Sequence, residues 1–198
     1  MNWQTTLAPF LLSVSLPTLA ATAGQAAPNF TLTDTQSKAV QLSDFKGRYV
    51  VLEWTNPQCP FVRNHYNTHN MQGLQADWAP RGVVWLSIDS SNKSSWSFMQ
   101  PAKLGAWMHD KGAAQKAVLV DSDSAVAKLY QAKTTPHMFV IDPDGKIVYA
   151  GAIDDRPSTR PEDPAAAKNY VRTALTQATS GAVVTTANTT PYGCSIDY

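Results

Sequence analysis

The sequence predicts an α/β domain with a mixed central sheet and helices packed on it. Three observations lead there. Short Val- and Ile-rich apolar runs of strand length recur along the chain, helix-patterned stretches alternate with them, and the last two runs flank a turn signal. Alternation of strand and helix builds parallel neighbours, whereas a closing hairpin adds antiparallel ones, so the sheet is expected to be mixed.

The elements follow in order. Pro28–Leu32 alternates like a short edge strand and runs into the turn-prone stretch DTQSK, and 42–47 (LSDFKG) is a second turn. Tyr49–Trp54 is an apolar run suited to a buried central strand, as are Val83–Asp89, Ala117–Asp121, His137–Asp142 and Lys146–Ala152. Pro143-Asp144-Gly145 joins the last two as a hairpin. A helix is expected over Pro60–Ala79, opening on a proline whose missing N–H costs nothing in the first turn. Lys93–His109 reads as two helical pieces separated at Pro101, Ser124–Gln131 as a short helix, and Pro164–Ala178 as a longer one that stops before Gly181. The stretch 154–164 (DDRPSTRPEDP) reads as a polar surface loop, with Asp154 and Asp155 as a solvated acidic pair.

Composition narrows the function. The chain has 43% hydrophobic and 16% charged residues, which is globular, and a net charge of +1 gives no electrostatic reason to bind nucleic acid or an anionic membrane. Its first charged side chain is Asp34, and the apolar, small-residue stretch before it ends in LAATAG, which reads as an export leader over residues 1–23. The apolar core of that stretch is too short to span a bilayer. The expected organisation is therefore a leader (1–23), one domain (24–181) and an extended tail (182–198), with the mature protein exported, periplasmic or secreted. Cys59 and Cys194 are the only cysteines. They have no zinc-ligand spacing, and in an oxidising compartment two cysteines either pair or stay as reactive thiols.

Cys59 lies where the strand ending in Trp54 gives way to the helix opening at Pro60. A thiol at a helix N-terminus meets unpaired N–H groups and the positive end of the helix dipole, both of which favour the reactive thiolate. Arg63 and His65, one turn further on, are candidates to add positive potential.

Several motifs now carry a resemblance. APNFTLTD followed by VQLSDFKGRYVVLEW, then TTPHMFVID, then DPDGKIVYAGAID resemble, in this order, the redoxin branch of the thioredoxin superfamily. That branch is the alkyl hydroperoxide reductase/thiol-specific antioxidant group with its peroxiredoxin-like relatives. The resemblance implies a thioredoxin fold and a thiol-dependent oxidoreductase. Cys59 would be the nucleophile, and Pro136 a cis-proline beside it that offers a backbone edge to a substrate strand. Glu53, six residues before the cysteine, matches the buried acid beneath the thiol of thioredoxins. Desolvation would raise its pKa and suit it to proton transfer, with an outward-facing carboxylate as the other reading. Trp54 and Asn56 complete the supporting set. No cofactor is implied. The substrate is a peroxide or a protein disulfide, and an unidentified thiol supplies the electrons.

The chain also departs from the family patterns. Val62 stands where a thioredoxin has its second cysteine, and Asn56 stands where a peroxiredoxin carries threonine or serine, with Thr55 one step away. Cys194 is then a resolving thiol for Cys59, a partner in an intermolecular bridge, or a static tether; thirteen steps beyond Gly181 reach on the order of 40 Å, enough to return to Cys59. The alternative to an enzyme is a non-catalytic binding or copper-delivery module that uses the thioredoxin-fold groove, with His65 and His69, spaced i, i+4, as copper ligands beside Cys59 and His137. Arg63 opposes it, and no metal is assigned.

Overall fold

The structure is a computed structural model that describes Met1 and residues 21–198. Residues 2–20, which carry most of the expected leader, lie outside the described residues. The fold is a seven-stranded mixed sheet of order β2-β1-β5-β4-β3-β7-β8 with helices on both faces. The central parallel strands are β3 (Val50–Trp54), β4 (Val84–Asp89) and β5 (Ala117–Val120). The closing hairpin, β7 (His137–Ile141) with β8 (Ile147–Gly151), adds antiparallel to β3. On the other side, β1 (Thr31–Asp34) and β2 (Ala39–Gln41) form a hairpin whose turn is closed by Asp34 Oδ1, which accepts the Gln36 and Lys38 amides at 2.9 and 2.8 Å.

Every residue of β3, β4 and β7 is buried, which is why these strands read as continuous apolar runs. Alternation along β3 divides the core. Val50, Leu52 and Trp54 join the cluster that contains Leu86, Phe139 and Tyr130 of α4 (Ala125–Tyr130). Val51 faces the other cluster, built with Val62 and Tyr66 of α1 (Pro60–Asn67), Leu74 of α2 (Asn70–Trp78), Leu104 of α3 (Pro101–Asp110) and Leu175 of the C-terminal helix Tyr170–Thr179. Glu53, two residues from Val51, is turned to this second side.

The structure corrects several boundaries. The single helix expected over 60–79 is two, because Thr68 caps the first by donating to Asn64 O at 2.8 Å and His69 takes a left-handed backbone (φ 57°). No Gly or Pro marks that break. Of the two pieces expected over 93–109 only Pro101–Asp110 is helical, and the serine-rich stretch before it folds through side-chain turns such as Ser94 N to Asn92 Oδ1 at 3.0 Å. The first strand lies at 31–34 rather than 28–32. The helix expected over 164–178 is a single turn, α5 (Asp163–Ala166), and then α6 (Tyr170–Thr179), which Asn169 caps by accepting the Arg172 amide at 2.8 Å.

Beyond Gly181 the tail runs back along β8. Ala150 donates to Ala187 O at 3.0 Å and accepts from Thr189 N at 3.1 Å, while Thr189 Oγ1 accepts from Ala152 N at 2.9 Å. The tail then reaches the end of the sheet, where β9 (Cys194–Ser195) pairs antiparallel with β6 (Thr134–Thr135).

Candidate active site

Cys59 is the N-cap of α1, with extended backbone (φ −74°, ψ 122°) and Pro60 at the first helical position. Its carbonyl accepts the Arg63 amide at 2.9 Å, the first bond of the helix. The thiol position is therefore fixed by the β3–α1 junction, and the residue is only 2% exposed. Across from it runs the Thr135–Pro136 segment, joined by a cis peptide bond. Cys59 Sγ lies 3.0 Å from the Thr135 carbonyl oxygen.

Cys194 forms a disulfide with Cys59 inside the chain, with Cα atoms 5.8 Å apart, in the range a disulfide requires. The tail cysteine is half-buried. Two features hold the tail in place. Gly193 has φ 127° and presses its Cα against the backbone of Thr135 and Pro136; a Cβ there would overlap the Thr135 carbonyl. Tyr192 anchors the other side in a polar chain. Asn70 Nδ2 lies 2.9 Å from His65 Nδ1, His65 Nε2 lies 3.1 Å from the Tyr192 hydroxyl, and that hydroxyl donates to Asp154 Oδ1 at 2.5 Å. With Asn70 donating, His65 keeps its proton on Nε2 and points it at the Tyr192 oxygen.

Burial lowers the His65 pKa to about 4, so it is neutral at ordinary pH and does not supply the positive potential expected of it. Arg63 is exposed on the outer side of α1. Asp154 is buried, which raises its pKa, so it is not the solvated residue the sequence suggested, although Asp155 beside it is exposed. His69 is exposed in the break between the helices, so it shares no helical face with His65, and His137 is buried with its Nδ1 accepting the Lys133 amide at 3.1 Å. Among the described residues no group of three or more potential ligands is placed to hold a metal.

Glu53 is fully buried, which removes the outward-facing reading. Its carboxylate accepts from Trp85 Nε1 at 2.7 Å, Tyr66 Oη at 2.9 Å, Ser87 Oγ at 3.0 Å and Gln75 Nε2 at 3.4 Å. Desolvation outweighs these donors and raises its pKa to about 6. Its hydrogen-bond partners lie on α1, α2 and β4 rather than at Cys59. Trp54 is buried on the opposite face, donating to Ser90 Oγ at 3.0 Å. Asn56 folds the loop before Cys59: its Oδ1 accepts the Gln58 amide at 2.7 Å and its Nδ2 donates to Ser91 Oγ at 2.5 Å.

A pocket of about 220 Å³ opens beside the disulfide. Thr55, Asn56, Ser91 and Ser97 line it, Asp197 and the highly exposed Trp96 stand at it, and both cysteines border it.

The AhpC/TSA family pattern matches residues 23–150. The chain belongs to the AhpC/TSA family. The matched span ends before Cys194, so the tail that covers the site lies beyond it. Among curated proteins, the thiol-disulfide oxidoreductase ResA of Bacillus subtilis (strain 168) is 30% identical over 63% of this chain and 64% of its own length. The chain thus spans somewhat under two thirds of that relative. Among solved structures, an uncharacterized conserved protein from Geobacillus kaustophilus superposes with a TM-score of 0.79 at 28% identity, covering 90% of this chain and 93% of its own. A hypothetical protein from Sinorhizobium meliloti 1021 gives 0.78 at 25% identity, covering 91% and 96%.

In this AhpC/TSA chain Tyr192-Gly193 reads in sequence as a flexible approach for a resolving Cys194, whereas the Tyr192 hydroxyl is held between His65 and Asp154; the roles of Asp154 and of the serines at 90–97 were missed. The signal for Tyr192 was its place two residues before Cys194; nothing local distinguishes Asp154 from Asp155.

Proposed function

We propose that this protein is a thiol oxidoreductase that cycles between a Cys59/Cys194 dithiol and the Cys59–Cys194 disulfide. The observation that carries the reading is that bridge, laid across the cis-Pro136 edge from a helix-start cysteine to the tail. The resemblance to a named thiol-disulfide oxidoreductase supports disulfide exchange as the reaction. In it, Cys59 thiolate attacks a substrate disulfide, one substrate thiolate leaves, and a mixed disulfide remains on Cys59. Cys194 thiolate then attacks Cys59 Sγ, the second substrate thiolate departs, and the bridge forms with both electrons passed to the substrate. Pro136 and Thr135 present the edge on which an extended substrate strand would lie, once the tail has left it.

Family membership favours a second reading, peroxide as the oxidant. Cys59 thiolate then takes one peroxide oxygen to give a sulfenic acid and an alcohol or water, and Cys194 thiol condenses with it, releasing water. Buried Glu53 would act at a distance as a proton reservoir in either case. The uncharged, apolar N-terminal stretch and a disulfide at the centre of the site support an exported location.

The test is the Cys194→Ser variant, assayed with a peptide disulfide and with peroxide. Loss of multiple turnover, with a mixed disulfide or sulfenate accumulating on Cys59, supports the cycle, and the substrate that reacts decides between the readings. Full turnover in Cys194→Ser sinks the role of Cys194, and an unreactive reduced Cys59 sinks the enzyme.

A further inference from the structure

Closing the cycle requires something to open the Cys59–Cys194 bond, and the structure restricts how that thiol arrives. In the oxidised chain the edge beside cis-Pro136 is already occupied. Thr134 and Thr135 pair with Ser195 and Cys194, and Gly193 sits so close to Thr135 that not even a Cβ fits between them. An extended strand from a protein donor has no room there while the tail is docked. The sulfurs are also unequal. Cys59 is 2% exposed beneath the tail, whereas Cys194 is half-buried. Attack at Cys194 expels Cys59 as the leaving thiolate, at a helix N-terminus where N–H groups and the helix dipole stabilise it. A stabilised thiolate is the better leaving group, so accessibility and chemistry choose the same sulfur.

An opening among the described residues borders both cysteines, and of the two Cys194 is the more exposed. The pocket of about 220 Å³ borders Cys194 and is walled by short hydroxyl and amide side chains. Asn56 Nδ2 and Ser91 Oγ line it beside each other, with Ser90, Ser95 and Ser97 adding further hydroxyl-bearing residues. The space suits a molecule of a few heavy atoms with polar groups, not a protein loop. Among the described residues Asp197 is the one charged side chain at the lining, and it disfavours an anionic guest.

We propose that this pocket is the entry site of a low-molecular-weight thiol, neutral or carrying an amine, whose sulfur attacks Cys194. The inference rests on the redox cycle proposed above. The first thiolate bonds to Cys194 Sγ, the Cys59–Cys194 bond breaks, and Cys59 leaves as thiolate. A second small thiolate then attacks the small molecule's sulfur on Cys194. It releases a low-molecular-weight disulfide and Cys194 thiolate, so two electrons pass to the protein.

The experiment treats oxidised full-length protein with limiting cysteamine, quenches in acid, blocks free thiols with a maleimide, and maps the adducts by peptide mass. Cysteamine is expected on Cys194 and maleimide on Cys59. Stopped-flow reduction is then compared for cysteamine, β-mercaptoethanol and thioglycolate at equal thiolate concentration. The first two are expected to outpace thioglycolate, and Asp197→Asn to narrow that gap. Ser95→Phe, which fills the pocket from its rim, is expected to slow cysteamine roughly tenfold relative to Ser95→Ala, which removes the same hydrogen bond to Asp197 without filling the pocket. First adducts on Cys59, or equal rates in Ser95→Phe and Ser95→Ala, overturn the inference. If oxidised protein shows no Cys59–Cys194 peptide at all, the cycle itself fails, and the two failures are thereby told apart.

Discussion

Removing the ionisable group from Glu53 should erase one limb of the protein's pH–stability profile. Glu53 is fully buried, holds no cationic partner, and has a pKa raised to about 6 from 4.5, with desolvation as the main cause. A carboxyl whose pKa is higher folded than unfolded keeps its proton in the folded chain where the unfolded chain has lost it. Between those two values the native state binds more protons, so stability falls as pH rises. A gap of ~1.5 on the pH scale corresponds to ~2 kcal/mol, present below pH 4.5 and lost above pH 6. Glu53→Gln keeps an oxygen for Trp85 Nε1 and Ser87 Oγ and turns an amide towards Tyr66, whose hydroxyl can accept instead of donate. The assay is urea unfolding of both oxidised proteins from pH 4 to pH 8 at constant ionic strength. Buried His65 and His137, with pKa values lowered to about 4 and about 3, contribute with the opposite sign, but they are common to both proteins and drop out of the difference. Relative to Glu53→Gln, the wild type should lose ~2 kcal/mol between pH 4 and pH 7. A pH-independent difference, or a wild type that gains on the variant as pH rises, refutes the reasoning.

Two further changes probe the tail. Tyr192→Phe deletes the hydroxyl that joins His65 to buried Asp154, leaving a carboxylate whose other oxygen already has no partner among the described residues, so chemical denaturation should show a loss of about 1–3 kcal/mol. Gly193→Ala places a methyl group on the Thr135 carbonyl at a backbone angle that L-residues rarely adopt; thiol titration during air oxidation should show the Cys59–Cys194 bond forming far more slowly, while far-UV circular dichroism stays native.

The frame of this structure was legible because its signals are local. Runs such as VVLEW and HMFVI are buried on both faces and advertise themselves, and the PDG turn allows little but a hairpin. The Thr-Thr-Pro motif and the strand–Cys–Pro junction likewise lie within a few residues of each other. What was not legible depends on distant partners. Thr68 and His69 carry no breaker signature, yet the chain turns there, and α2 then adds Met71, Leu74 and Trp78 to the cluster that holds Val62 and Tyr66 of α1. Asp154 reads like Asp155 until a tyrosine 38 positions later buries it. The serines at 90–97 run into a stretch that reads as helix from Lys93, and only folding shows that Trp54, Asn56 and Asp121 receive or supply the hydrogen bonds of Ser90 and Ser91.

A bridge that only tethers the tail and one that cycles make different demands on the reduced state. The Cys59–Cys194 bond closes a loop of 135 positions, and in the chain-entropy account such a loop stabilises the fold by ~5 kcal/mol, acting through the unfolded chain. That contribution says nothing about how firmly the tail sits once the bond opens. The docking contacts do. β9 contributes only two residue pairs to β6, Ile196 N donates to Lys133 O at 3.1 Å, and Tyr192 adds its two polar contacts. Ala187 and Thr189 bind the β8 end, and the last two residues add Ser124 Oγ donating to Asp197 O and the Tyr198 hydroxyl donating to Ala132 O. Against these stands the backbone entropy of about a dozen residues, at ~1–2 kcal/mol each. The reduced tail should therefore leave the cis-Pro136 edge readily while the sheet stays intact, which a resolving cysteine needs and a tether does not. Hydrogen exchange of the oxidised and reduced chains measures this: amides of Cys194–Ile196 should lose protection on reduction while those of β3 and β4 keep theirs. Tail amides that stay as protected reduced as oxidised would make Cys194 a structural fastener, and the accessible edge beside Cys59 would then have to be sought elsewhere.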